Sequence, residues 1–217
     1  PALLDRFVEL YAASSPAVIR VGWGMERNRN GGSATAAVLA LPAIAGKFGV
    51  RGGRYTASNG DARWGVSPEA GIGAPAPPTR TVNMSQLSTA LRTLRDPRIE
   101  GLFVYNCNPA ATAPDQRALL EELRREDLFV VVHEQVMTDT CDLADVVLPA
   151  TTFLEHRELR RGYGAMRLFD SPPVIAPVGE ARTNTELFAA LLERMGLVRD
   201  GDAMTDDAVV EKILSGA

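Results

Sequence analysis

Apolar residues recur along this chain with two distinct spacings. Leu3, Phe7 and Leu10 fall on one side of a helical wheel over residues 2–13, and Ser14, Ser15 and Pro16 end that segment. Val18, Ile19 and Val21 follow as a short β-branched run that reads as a buried strand. Residues 33–48 are apolar and Ala-rich, which predicts a helix kinked or divided at Pro42 and ended at Gly49. Met84, Leu87, Leu91 and Leu94 form another helical stripe over 84–95, stopped by Asp96 and Pro97. A strand–turn–helix unit comes next. Residues 102–105 (LFVY) read as a strand and 106–109 (NCNP) as a turn. Pro114 suits a helix start, where a missing N–H costs nothing, and Leu119, Leu120 and Leu123 form the helix face. Residues 128–132 (LFVVV) and 145–148 (DVVL) are two further apolar strands, the second closed by Pro149.

Continuous rather than alternating apolar strands, separated by helices, predict a parallel sheet covered on both faces. The expected class is α/β, a Rossmann-like parallel sheet with flanking helices. Its strands are expected near 18–21, 101–105, 128–132 and 145–148. After Pro149 the pattern loosens into a smaller, irregular α+β part. Short strands are expected there at 163–169 and 173–178. Thr183 and Glu186 form a capping box opening a helix through Met195, and a last helix is expected over 205–214. The expected division is therefore a Rossmann-like region at 1–149 and a C-terminal segment at 150–217. Residues 51–80 have no period and are rich in Gly and Pro. A loop of that length predicts either disorder or a segment resting on a part this chain lacks.

Glycines change the picture at the first strand. Gly22, Gly24, Gly31 and Gly32 follow it within a few positions, and Ser33 opens the Ala-rich helix. Strand, glycine loop and helix let a backbone approach a phosphate-bearing ligand, because glycine has no Cβ to hold the ligand off. The spacing is not G-x-G-x-x-G, and the same pattern is open to reading as a plain glycine-rich connection.

Composition narrows the classes further. The chain has 217 residues, 46% hydrophobic and 23% charged, with net charge −4. This mild acidity argues against a nucleic-acid or phospholipid binder, which needs a basic face. No apolar run is long enough to cross a bilayer and no signal peptide is visible, so no membrane insertion is expected. Two cysteines, Cys107 and Cys141, and two histidines, His133 and His156, are too few for a four-cysteine zinc or iron–sulfur site.

Ligands of open parallel sheets bind beyond the carboxyl ends of the strands. That rule selects residues 22–28, 106–108 and 133–138. Glu134 at that edge offers acceptors for the N1–H and amino N–H of guanine. Asn106 and Asn108 suit ribose or phosphate oxygens, and Arg27 or Arg29 suits phosphate. Each has a duller reading. Asn106 and Asn108 flank a turn and can bond local backbone, Glu134 or Thr138 can cap the following segment, and Asn184 sits inside a capping box. Cys107 reads as a packed small residue, His133 as a polar strand end and His156 as a solvated side chain.

Taken together these stretches resemble the dimethyl sulfoxide reductase family of molybdopterin oxidoreductases. The matching segments are GWGMERNRNG at 22–31, residues 39–53, VYNCNP at 104–109 and VVHEQVMTDT at 131–140. Also matching are ADVVLP at 144–149 with Glu155, and GEAR at 179–182. Their order and spacing cover about residues 16–195. The resemblance implies that the chain grips the guanosine end of one molybdopterin guanine dinucleotide. Trp23, Gly24 and Arg27 match glycine-loop contacts, with Gly22 beside them. Asn106 and Asn108 match turn contacts that bracket Cys107. His133 and Glu134 match a pair whose acid, usually Asp, reads guanine. Thr138, His156 and Asn184 match further contacts with the dinucleotide. Glu in place of Asp at 134 lengthens the arm by one methylene.

The family's cofactor is molybdenum bis(molybdopterin guanine dinucleotide). A cysteine-ligated 4Fe–4S segment usually begins the subunit, and this chain holds neither that segment nor the metal ligand. The chain is therefore expected to be a middle portion, inactive alone. Its expected partners are the remaining domains of the parent subunit and an electron-transfer subunit. The compartment stays open, since an export signal would lie upstream. Two other readings stand beside this one. The first is a scaffold fragment of a non-catalytic relative, such as the large iron–sulfur subunit of NADH dehydrogenase. The second is a free-standing Rossmann-like nucleotide binder.

Overall fold

The structure, a computed structural model, describes residues 2–25, 28–57, 79–162 and 167–215. The chain forms two compact units, residues 1–63 and 64–217, each taken here by itself. The expected division at Pro149 falls inside the second unit.

The first unit begins with α1 (Ala2–Ala13), none of whose residues is buried. Strand β1 (Val18–Arg20) leads to α2 (Gly31–Ile44) and then to β2 (Arg54–Thr56). Pro42 lies buried inside α2, which runs past it to Ile44 and stops short of the end expected at Gly49. The helix stops at Ala45, whose N–H donates to the Leu41 carbonyl, while the next N–H, of Gly46, donates to that of Ala43. Lys47 is buried and fixes this exit by donating to the carbonyls of Ala12 and Ser14, at 2.8 and 2.6 Å.

The second unit starts with a 3₁₀ turn (Met84–Gln86) that runs into α3 (Leu87–Thr93), so the predicted stripe is one short helix with a tightened first turn. Asn83 starts it by accepting the N–H of Ser85. Strand β3 (Gly101–Tyr105) is followed by α4 (Pro109–Thr112) and α5 (Gln116–Leu123). Pro109, not Pro114, takes the first helical position, and α5 opens only after Asp115 turns left-handed at φ 56. Strand β4 (Phe129–Glu134), a 3₁₀ turn (Cys141–Leu143) and β5 (Val146–Pro149) complete a parallel sheet in the order β3-β4-β5. Val104, Val130 and Val132 face α3 and α5 on one side of it, packed with Leu91, Leu119, Leu123 and Leu128. Each fully buried apolar side chain there contributes about 1.5–3 kcal/mol. Asp145 ties β5 to β4 by accepting the N–H of Val130 at 2.7 Å.

The parallel α/β class holds, with helices on the sheets, but the single four-stranded sheet does not. Strand β1 pairs in parallel with β2, Val18 opposite Arg54, in a two-stranded sheet separate from β3-β4-β5. The partner strand is three residues long and sits inside the stretch read as aperiodic, where no alternation can show itself. The remainder of that stretch, 58–78, lies outside the described residues.

After β5 come β6 (Glu158–Arg161) and β7 (Leu168–Ser171), an antiparallel pair in which Glu158 stands opposite Ser171. The strands expected at 163–169 and 173–178 are thus displaced. Residues 163–166 lie outside the described set and 173–178 form no strand. Arg157 explains the earlier start. It holds Asp170 with both Nε and Nη2, at 2.9 and 2.6 Å, pinning the β6–β7 ribbon, and reaches Asp207 with Nη1 at 2.9 Å. Helix α6 (Asn184–Met195) starts at the predicted capping box and ends at Gly196 in the left-handed conformation, φ 65. Helix α7 (Asp206–Ser215) closes the chain.

Candidate functional site

The carboxyl end of the β3-β4-β5 sheet opens into a cleft of about 420 Å³. Four stretches meet there: Asn106 after β3, His133 and Glu134 ending β4, Thr151 to Leu159 after β5, and Thr183 to Thr185 at the start of α6. Helix α7 supplies an apolar wall through Val209, Val210 and Ile213. Five residues singled out from the sequence, Asn106, His133, Glu134, His156 and Asn184, line this one space.

Local chemistry explains their positions. Asn106 adopts φ 56, a left-handed conformation that asparagine tolerates because its short amide bonds locally. This sharp exit from β3 turns its side chain to the cleft, where its Oδ1 accepts from Nδ2 of Asn184 at 3.5 Å. In the sheet register His133 lies opposite both Tyr105 and Leu148. The residue is 2% exposed, and Nδ1 meets the Leu148 carbonyl at 3.2 Å. A carbonyl only accepts, so Nδ1 carries the proton and Nε2 presents a lone pair. Nε2 is buried with no hydrogen-bond partner. Burial pushes the His133 pKa below its usual value, against the opposing pull of the Leu148 carbonyl, the Glu134 charge and Asn184, so the ring stays neutral.

Glu134 is half-buried, and its Oε1 accepts the N–H of Gln135 at 2.8 Å, so the local capping expected of it occurs. Each carboxylate oxygen carries two lone pairs, which leaves acceptor capacity on both. Thr151 Oγ1 meets Nδ1 of His156 at 2.9 Å and orients that ring. Beneath it, buried Glu155 accepts the N–H of Thr152 at 2.6 Å and of Val178 at 2.7 Å, which fixes the turn carrying His156.

Three other sequence candidates in this unit, Asn108, Thr138 and Cys107, do not line this cleft. Asn108 spends its amide on structure: Oδ1 accepts from Thr140 at 2.6 Å, while Nδ2 donates to Asp139 at 3.4 Å. Thr140 is fully buried and also accepts the N–H of Ala110, so this knot joins the β3 turn to the segment after β4. Thr138 Oγ1 lies 3.3 Å from the Cys141 thiol. Cys107 is exposed, and desolvation of its thiol, then the Glu134 charge, push its pKa up, which disfavours a reactive thiolate.

In the first unit, Gly22, Trp23 and Gly24 follow β1 on a turn closed by Asn28, whose Nδ2 donates to the Gly24 carbonyl at 3.0 Å. Trp23 is 61% exposed. A Cβ at Gly22 or Gly24 would meet nothing within 4 Å, so the missing side chains leave this backbone open. Arg27 lies outside the described residues.

Sequence reasoning missed Thr151, Arg157, Asp206 and the α7 wall as parts of the cleft. The capping box did point to Thr183, but nothing in the α7 pattern tells which face meets β6. Among the described residues no three His, Cys, Asp or Glu side chains gather as a metal site, and no helix is long and apolar enough to cross a membrane.

Residues 4–194 match the family model described as Molybdopterin oxidoreductase. The probable oxidoreductase YoaE of Bacillus subtilis is 34% identical over 214 residues, covering 96% of this chain and 31% of that protein. A trimethylamine-N-oxide reductase of Haemophilus influenzae is 28% identical over 85% of this chain and 26% of its own length. Among solved structures, acetylene hydratase from Pelobacter acetylenicus superposes with a TM-score of 0.55 at 27% identity. That match covers 62% of this chain and 18% of the hydratase. The chain thus spans a third or less of the curated relatives it matches.

Proposed function

We propose, because this chain belongs to the molybdopterin oxidoreductase family, that its strand-end cleft holds the guanosine end of a molybdopterin guanine dinucleotide. The observation that carries this reading is the gathering of Asn106, His133, Glu134, His156 and Asn184 around one space. These residues come from separate stretches that packing alone does not require to meet. The cleft volume, about 420 Å³, falls in the roughly 300–1,000 Å³ range of small-molecule sites.

Donor and acceptor chemistry supports guanine in particular. Guanine presents two donors side by side, N1–H and the amino N–H, and the Glu134 carboxylate is a paired acceptor at the edge of the sheet. Adenine places an acceptor where the first of those donors would be.

Within the whole protein, of which relatives are named as reductases, the cofactor would be molybdenum bis(molybdopterin guanine dinucleotide). When bound it would supply two-electron redox or oxygen-atom transfer at the metal. The residues of this chain bind and orient its nucleotide end; they hold no proton or electron for the reaction. Other domains, a 4Fe–4S cluster and an electron-transfer subunit belong to that same proposal.

Calorimetric titration of the chain with GDP and ADP tests the reading. GDP should bind more tightly by roughly 1.5–3 kcal/mol, the worth of a paired charge-assisted contact, with affinity no better than about the high-micromolar range. Glu134→Ala should erase the difference. Equal binding of the two nucleotides by well-folded chain, unchanged by the substitution, would remove Glu134 as the guanine reader.

A further inference from the structure

Helix α7 stands against the cleft as a wall with few ties to the rest of the fold. Asp206, Val209, Val210 and Ile213 on its inner face line the cleft, and Val210 is its one buried residue. Its packing on other helices and strands is chiefly on β6. The path from α6 crosses residues 196–205, which form neither helix nor strand and hold two left-handed glycines, Gly196 at φ 65 and Gly201 at φ 84. Connections of this kind, at the end of an element, are where hinges absorb their φ and ψ changes. The Lys212 ammonium donates to the Gly201 carbonyl at 2.6 Å, a tie that stays within the hinge and its own helix.

Among the described residues, one side-chain hydrogen bond joins α7 to anything before residue 196. Arg157 Nη1 donates to Asp207 Oδ1 at 2.9 Å. The other two nitrogens of the same guanidinium, Nε and Nη2, grip Asp170 at 2.9 and 2.6 Å and anchor the fork on the β6–β7 ribbon. The Arg157 side chain is 22% exposed and that of Asp207 is 71% exposed. The half of the pair that rides on the helix is therefore the half that water can take over. An exposed pair of this kind is weak enough to break and remake while the protein stays folded.

We propose that α7 is a hinged lid on the strand-end cleft, latched shut by Arg157 through Asp207. With the latch closed, Val209, Val210 and Ile213 face the cleft. With it open, the connection at 196–205 lets the helix swing as a unit, which uncovers those side chains and widens the way in for a ligand. Burial of Val210 gives the closed position its resting preference, and the latch adds to it. Arg157 acts here as a positioning residue: it holds the wall and needs no contact with the ligand. The device goes beyond the guanosine reading and does not depend on which ligand the cleft takes.

The test places a thiol beneath the lid. Val210→Cys is made in the full chain carrying Cys107→Ser, so that Cys141, buried at 3% exposure, remains as the internal marker of global unfolding. Labelling by a soluble disulfide reagent should reach the Val210→Cys thiol about tenfold faster than Cys141 or more, because local opening precedes global unfolding. Asp207→Asn should speed that labelling a further two- to fivefold, roughly the worth of an exposed ion pair, and leave Cys141 unchanged. Asp206→Asn removes an equal charge from the first turn of α7 without touching the latch, so its effect should be smaller. Salt at about 1 M should speed labelling in the parent and not in Asp207→Asn. Amide exchange within α7 should report rarer opening than the thiol does, since a swinging helix keeps its own hydrogen bonds. Ile213→Cys repeats the measurement if Val210→Cys loses cooperative unfolding. Labelling no faster than that of Cys141 overturns the proposal. So does an Asp207→Asn effect that is absent or matched by Asp206→Asn, or α7 amides that open as often as the thiol, which would mean that the helix melts instead of swinging.

Discussion

Glu155 and His133 are both buried ionisable side chains, and the protein treats them in opposite ways. Burial disfavours the charged form of His133, whose Nδ1 is committed to the Leu148 carbonyl and whose Nε2 is buried. Glu155 is kept charged, because the Thr152 backbone N–H first, the Thr152 side chain next and the Val178 N–H after it hold its pKa below the ordinary 4.5. A depressed folded pKa contributes stability that is fully present above the unfolded value and is lost as pH falls through the folded one. Unfolding midpoints measured from just above the ordinary glutamate value downward should therefore fall more steeply in the parent chain than in Glu155→Gln. Identical slopes would contradict the role given to Glu155. At this scale the sequence showed which residue types could touch a ligand but not which were already spent. Asn108 and Thr138 look like equals of Asn106 in the linear pattern. Their partners Asp139, Thr140 and Cys141 withdraw them from the cleft, and the Asn108 partners stand about thirty positions away, where no local rule reaches.

Elements differ in how openly they announce themselves. Helix α6 was readable because its capping box is a local, reciprocal arrangement: Thr183 and Glu186 each satisfy the other's backbone N–H. Thr183→Ala should cost about 1 kcal/mol, lowering the denaturant midpoint with little change in its slope, since one cap is lost and the packed face stays. Because Thr183 also borders the cleft, the same variant should loosen nucleoside binding if α6 must be well seated. The strands of the β3-β4-β5 sheet were readable from their continuous Val-rich runs. Strand β2 was not, being three residues in a glycine-rich stretch that gains its definition from pairing with β1. The β6–β7 ribbon was misplaced for a related reason. Its position depends on Arg157 gripping Asp170, an interaction between residues 13 apart that no periodicity records.

For the molecule as a whole, the second unit carries both the buried apolar cluster and the cleft, and none of the cluster's buried residues lines the cleft. Leu119 is fully buried in a cluster with Leu91, Val104, Leu123 and Val130 and does not line the cleft. Leu119→Ala should therefore cost about 2–5 kcal/mol of stability while leaving the guanine preference of the surviving folded protein intact. A loss of preference at full folding would couple the core to the site in a way the architecture does not provide. The cleft lies at the carboxyl end of the sheet, where the topology, more than any single motif, assembles residues from four stretches. Family resemblance pointed to those stretches from sequence, and the structure supplied their meeting place. The measurement that bears most directly on that claim is a map of where a guanine nucleotide lands. Backbone and side-chain amide spectra of ¹⁵N-labelled chain, recorded across a GDP titration, should shift first at Asn106, Glu134, Gln135, Asn184 and Thr185 and leave α3 and α5 still. Saturable shifts confined to other surfaces, with those five residues unmoved, would contradict the account.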